Sequence, residues 1–75
     1  MTVPHDDFAA RLRAYMRAQD LSQSALARMI GVDASYVNLL ANGRRPLTDG
    51  LRAAFWSSPL ALRAGLRALV GPRPR

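Results

Sequence analysis

The sequence predicts an all-α protein, a compact bundle of about five short helices. Apolar residues recur at helical spacing, no stretch alternates with β-branched residues, and capping and glycine signals divide the chain into short pieces. Residues 1–70 read as one domain and 71–75, Gly71 to Arg75, as a disordered basic tail.

A chain of 75 residues has room for one small domain. With no cysteine it has neither a disulfide framework nor a thiolate zinc site, so no metal or cofactor is expected. No apolar run reaches the length of a membrane span and the start has no secretory pattern, which makes a cytoplasmic protein the expectation. Eleven arginines face five aspartates, with no lysine and no glutamate, for a net charge of +6. A GC-rich genome explains arginine in place of lysine but not the excess of cations. That excess favours polyanions, nucleic acid before membrane. An enzyme is not expected. The one histidine, His5, lies near the terminus with no nucleophile nearby, and no glycine-rich phosphate loop or paired carboxylates appear.

The first helix is predicted from Asp6 to Ala18, with Phe8, Leu12, Tyr15 and Met16 on one face and Asp6 and Asp7 at the positive end of its dipole. Ser22 then caps a helix Gln23 to Ile30, with Leu21 and Leu26 spaced as a hydrophobic staple. Gly31 ends it, since glycine takes the left-handed conformation without a Cβ penalty. Asp33 caps a third helix, Ala34 to Ala41, where Val32 and Val37 repeat the staple before Asn42 and Gly43 close the element. Thr48 caps a fourth helix, Asp49 to Trp56, that buries Leu47, Leu51 and Phe55. Ser58 and Pro59 open a fifth, with Leu62, Leu66 and Leu69 along one face.

On a helical wheel of the third helix, Val37, Leu40 and Ala41 form the core side. Ser35, Asn38, Leu39 and Asn42 point the opposite way, and Ala34 and Tyr36 flank them. This outward face carries no charge in a strongly basic protein. Asparagine can pair with adenine, serine can donate or accept, and an aliphatic side chain can cover a thymine methyl. An ordinary solvated face fits the wheel equally well. Nearby, Ser22, Gln23 and Ser24 open the second helix, where free backbone N–H groups can hold a phosphate. Arg44 and Arg45 follow the third helix, either gripping the DNA backbone or forming a solvated loop pair.

The 26-residue segment from Leu21 to Pro46 resembles the helix-turn-helix of the phage repressor and Cro-like family, with its lambda repressor-like DNA-binding fold. The residues that carry the likeness are Ser22 and Gln23, Leu26 and Ala27, Gly31 and Val32, Val37, and Asn42, Gly43 and Arg44. The resemblance implies that the third helix is the recognition helix. Gln23 would contact phosphate and brace it, Ala34, Ser35, Asn38 and Leu39 would face bases, and Tyr36 and Asn42 would reach the DNA backbone. Ala41 departs from the family pattern, which often has glutamate there as a hydrogen-bonding anchor.

The expected function is therefore sequence-specific binding of double-stranded DNA by a transcriptional regulator, a repressor of the phage or mobile-element kind. Family members commonly bind inverted-repeat operators as two-fold homodimers. Trp56, Leu62, Leu66 and Leu69 are the candidate dimer interface, although core packing alone could absorb them. The alternative is a helix-turn-helix protein-interaction module, antitoxin-like or a polymerase-binding adaptor, that holds a protein partner through its apolar C-terminal helix.

Overall fold

The computed structural model describes residues 7–73; the expectations placed on His5, Asp6, the Asp7 side chain, Pro74 and Arg75 lie outside that description. Five α-helices follow one another, α1 (Asp7–Ala18), α2 (Gln23–Ile30), α3 (Ala34–Ala41), α4 (Asp49–Trp56) and α5 (Leu66–Val70), with a 3₁₀ turn at Pro59–Leu62 between the last two. No strand forms among the described residues.

Capping chemistry divides the chain where the sequence says it should. Ser22 accepts from the Ala25 N–H at 3.0 Å and opens α2, and Thr48 accepts from the Leu51 N–H at 3.1 Å and opens α4. Each bond satisfies one of the N–H groups a helix start leaves unpaired, and such caps are worth about 1 kcal/mol. At the end of α2, Gly31 lies at φ 78° and lets the Val32 N–H close onto the Ala27 carbonyl at 2.9 Å. At the end of α3, Gly43 (φ 76°) allows a pair of closing bonds, Gly43 N–H to Leu40 O at 3.2 Å and Arg44 N–H to Leu39 O at 2.9 Å. Asp33 corrects one expectation. It holds the cap position of α3 by its extended backbone, but its carboxylate makes no capping bond.

α1 packs against α3 and α5, α2 against α3, and α4 against the 3₁₀ turn and α5. The side chains these contacts enclose form one core. Leu12, Leu26, Val37, Leu40, Phe55 and Leu60 are fully excluded from water, and Leu66 nearly so. Burying a leucine or phenylalanine completely is worth about 1.5–3 kcal/mol. Phe8 and Phe55 meet edge to face, centroids 6.3 Å apart, and join the first helix to the fourth.

The fifth helix departs from expectation. The periodicity of Leu62, Leu66 and Leu69 predicts one continuous helix from Pro59, but the chain breaks it. After the 3₁₀ turn, Arg63 is extended and Gly65 takes φ 89° before α5 begins. A continuous helix would stack Leu62, Leu66 and Leu69 on one face. The break instead sends Leu60 and Leu66 inward and turns Leu62 out, 92% exposed. Ser58 secures the corner, donating to the Phe55 carbonyl at 2.6 Å and accepting from the Leu60 N–H at 3.1 Å.

Candidate nucleic-acid interface

The outward side of α3 is built by exclusion. Val37 and Leu40 are wholly buried and Ala41 almost so, which fixes the helix's rotation about its axis. On the opposite side Ser35, Asn38 and Asn42 are exposed, and Leu39 is half-buried. Ala34 and Tyr36 are half-buried on the flanks and pack partly on the core. Tyr36 also lines an open groove of about 510 Å³, with Val32 and Asp33 on one wall and Thr48, Leu51 and Ala54 on the other.

At the start of α2, Ser22 spends its oxygen on its own cap, whereas Ser24 is exposed and Gln23 half-buried. Gln23 is drawn to α3: Asn38 Nδ2 donates to Gln23 Oε1 at 3.4 Å. Asn42 Nδ2 in turn donates to Asn38 Oδ1 at 3.1 Å, so three amides run in series from the C-terminal end of α3 to the N-terminal end of α2. The loop that follows holds Arg44 and Arg45, both exposed. Among the described residues the ion pair found is Arg52 with Asp49 at 2.9 Å, so neither loop arginine has its charge neutralised there.

Sequence reasoning missed Arg13. Its Nη1 donates to the Ala41 carbonyl and ties α1 to the C-terminal end of α3, where the helix dipole favours a cation. The bond falls on the backbone of Ala41, the position at which the sequence departs from the resembled pattern. The partners stand 28 positions apart, and a backbone acceptor leaves no residue-type signal, so nothing local marks the pair.

The four candidate dimer residues do not share a surface. Leu66 and Leu69 belong to the core, at 1% and 2% exposure, because α5 turns its apolar side onto α1 and α4. Trp56 is half-buried under the end of the chain; its Nε1 donates to the Gly71 carbonyl at 3.1 Å and the Arg73 guanidinium lies 5.2 Å from the ring centroid. Leu62 alone of the four stands fully in solvent. No helix among the described residues is long and apolar enough to cross a membrane.

Comparison with known proteins gives a consistent result. The family described as helix-turn-helix domain matches residues 7–69, from the first helix into the last. The HTH-type transcriptional regulator PrtR of Pseudomonas aeruginosa is 36% identical over 66 residues, which is 84% of this chain and 26% of that protein. The chain therefore spans about a quarter of the length of that relative. No solved structure gives a significant match. On the extent of the match, which takes in every helix bar the final residue of α5, the chain belongs to the helix-turn-helix domain family.

Proposed function

We propose that the protein binds double-stranded DNA sequence-specifically and regulates transcription, acting in the cytoplasm as a repressor on an inverted-repeat operator. In this reading α3 enters the major groove. Ala34, Ser35, Asn38 and Leu39 face base edges, while Ser22, Gln23, Ser24, Tyr36, Asn42, Arg44 and Arg45 lie along the DNA backbone. The observation that carries the reading is the uncharged, hydrogen-bonding side of α3, open to solvent at Ser35 and Asn38 and followed directly by two arginines without acidic partners among the described residues. Cations beside a neutral face suit a surface whose rim neutralises phosphate and whose centre approaches bases. The relative named as a transcriptional regulator supports the same conclusion.

One such unit reads few base pairs, so a homodimer on two half-sites about one helical turn apart completes the proposal. With Leu66 and Leu69 inside, Leu62 is the candidate pairing residue that stands fully exposed. The exposure of Leu62 also favours the second reading, a helix-turn-helix module that holds a protein partner at this end.

Gel-shift titration against a random-duplex selection separates the two. A regulator retains one sequence far more tightly than bulk duplex. If about six to ten phosphates are contacted, its affinity falls by about 10³ to 10⁵ between 50 and 200 mM salt. Asn38→Ala should cost about 1–3 kcal/mol at one base position, whereas Arg44→Ala should weaken binding to all sequences alike. Equal, sequence-blind losses for both variants would refute the groove assignment.

A further inference from the structure

α1 turns its two flanks to different neighbours. Arg11 and Arg13 are two residues apart and so about 200° apart around the helix. Arg13 reaches the Ala41 carbonyl of α3, while Arg11 Nε donates to the Leu69 carbonyl of α5 at 3.4 Å. The flank toward α5 is incompletely filled. An open groove of about 300 Å³ runs there, lined by Arg11, Ala14, Tyr15, Gly65, Ala68 and Leu69.

The groove exists because small residues stand where large ones would close it. Ala14 and Ala68 are exposed, one from each helix, and the buried Tyr15 and Leu69 form the floor. A Cβ built on Gly65 would stand 3.6 Å from Tyr15 Cε1, so any side chain there would lie against the ring. The φ of 89° at Gly65 favours glycine, and the turn that breaks the chain before α5 thus also keeps the groove open.

A cation stands at each end. Arg11 is anchored at the Leu69 end by one N–H. At the Tyr15 end, Arg63 Nη1 donates to Gln19 Oε1 at 3.3 Å, and Gln19 Nε2 donates to the Ala64 carbonyl at 3.5 Å. A guanidinium has five N–H donors, so both arginines keep most of their capacity. No carboxylate lines the groove, and neither arginine forms an ion pair among the described residues. Between Arg11 and the Tyr15–Gln19 turn, α1 rises about 6–12 Å.

The matching ligand has an apolar group for the floor and carboxylates about 6–12 Å apart, which a helix presents one to two turns apart. A second copy of this chain fits poorly, since it carries a net charge of +6 and would bring more arginine to an arginine rim. A small molecule with one carboxylate reaches one arginine and leaves the other unpaired.

We propose that the groove between α1 and α5 is a docking site for an acidic amphipathic helix of another protein, which seats an apolar side chain between Ala14 and Ala68 and pairs its carboxylates with Arg11 and Arg63. The inference does not depend on α3 reading DNA. Because α3 and the groove lie on opposite flanks of α1, one chain can hold both partners at once.

The test uses the intact chain and a phage-displayed library of random helical peptides. Selected peptides should carry an apolar residue with Asp or Glu one to two turns apart around it. The most enriched of them, made synthetically, should shift the backbone amide resonances of residues 11–19 and 63–69 and leave those of α3 in place. Arg11→Gln and Arg63→Gln should each weaken its binding by about 1.5- to 5-fold, the range of an exposed ion pair. Ala14→Glu, which sets a carboxylate on the groove wall, should weaken it by more than about tenfold. The same peptide with its acids changed to amides should lose affinity for the unaltered protein, a result that owes nothing to the variants' folding. Selection of peptides without acids, or binding indifferent to these changes, overturns the proposal. So does a peptide that shifts α3 and is displaced by duplex DNA, since it occupies the other surface. Octanoate alone giving the same shifts would make this a small-molecule site and overturn it as well. Gel shifts on the same protein report separately on DNA, so the failure of either reading is visible without the other.

Discussion

Replacing Gly31 with alanine isolates what the turn between α2 and α3 demands. Gly31 sits at φ 78° and ψ 35°, and a Cβ built on it meets nothing within 4 Å. The change therefore adds no steric contact, and what remains is the left-handed backbone itself. An L-residue there costs about 1–2 kcal/mol. The unfolded chain, less free with alanine than with glycine, returns about 0.4–1 kcal/mol of this. The expected net loss is about 1 kcal/mol, which lowers the midpoint of thermal unfolding by about 4–8 °C in a domain of this size.

Gly50 provides the control. It too has room for a methyl group, the nearest atom to its added Cβ being Thr48 Oγ1 at 4.0 Å, but it lies in the first turn of α4 without a positive φ. Gly50→Ala should stabilise through helix propensity, by at most the roughly 0.5–1 kcal/mol seen in helix interiors. Two glycines with similar space thus predict opposite signs, and only the backbone angle separates them. Urea unfolding followed by far-ultraviolet circular dichroism measures both. A loss above about 3 kcal/mol at Gly31 would mean that a side chain does clash there; no loss would mean that the left-handed turn is absent in solution.

Tyr15 is buried, and its hydroxyl has no hydrogen-bond partner among the described residues, so Tyr15→Phe should leave stability unchanged or raise it by up to about 1 kcal/mol. Burial pushes its phenol pKa above the usual 10.0, with the nearby Arg63 charge opposing. The folded state thus favours the neutral phenol; this contribution is intact below the unfolded pKa of about 10 and is lost as pH rises through the folded value. Alkaline titration of unfolding should show wild type losing stability above pH 10 more steeply than Tyr15→Phe, and parallel curves would refute this. Asp20 ends α1 at φ 55°, with the Leu21 N–H closing onto the Met16 carbonyl at 2.8 Å. Asp20→Gly should gain about 0.5–1 kcal/mol by removing the left-handed penalty, and an unfolding curve that shifts the other way would show that the carboxylate has a stabilising contact.

The parts of this fold that can be read from the sequence are those decided within a few residues. The bounds of α2 and α3 match expectation because Ser22, Gly31 and Gly43 each act on backbone groups at most a turn away. The break before α5 is not legible in the sequence because its cause is not local. Leu62, Leu66 and Leu69 have helical spacing whether or not the helix continues, and the break at Gly65 is favoured by Leu60 and Leu66 both reaching a core made by α1 and α4. For the same reason the sequence alone does not distinguish Leu66 and Leu69 in the core from apolar surface open to a second subunit. A core this small needs nearly every leucine it has, and the count of apolar residues does not say which of them it leaves outside. Asp33 shows the limit from the other side, since a favourable cap residue in cap geometry can still leave its side chain unbonded.

The outward side of α3 was legible for a reason that also bears on what it does. Of its eight residues, Val37, Leu40 and Ala41 hold the helix in the core, Ala34 and Tyr36 pack partly against it, and the exposed Ser35 and Asn38 need contribute little to folding. Orientation comes from elsewhere. The left-handed Gly31 sets the entry, the paired closing bonds at Gly43 and Arg44 set the exit, and Arg13 holds the Ala41 carbonyl from α1. With both ends fixed by backbone bonds, Ser35 and Asn38 take their positions from the helix and carry none of its stability. Substitution at exposed positions of this kind usually changes stability by no more than about 0.5 kcal/mol. Such a face can change its chemistry while the scaffold stays as it is, and that division of labour is what the proposed groove-facing role of α3 requires.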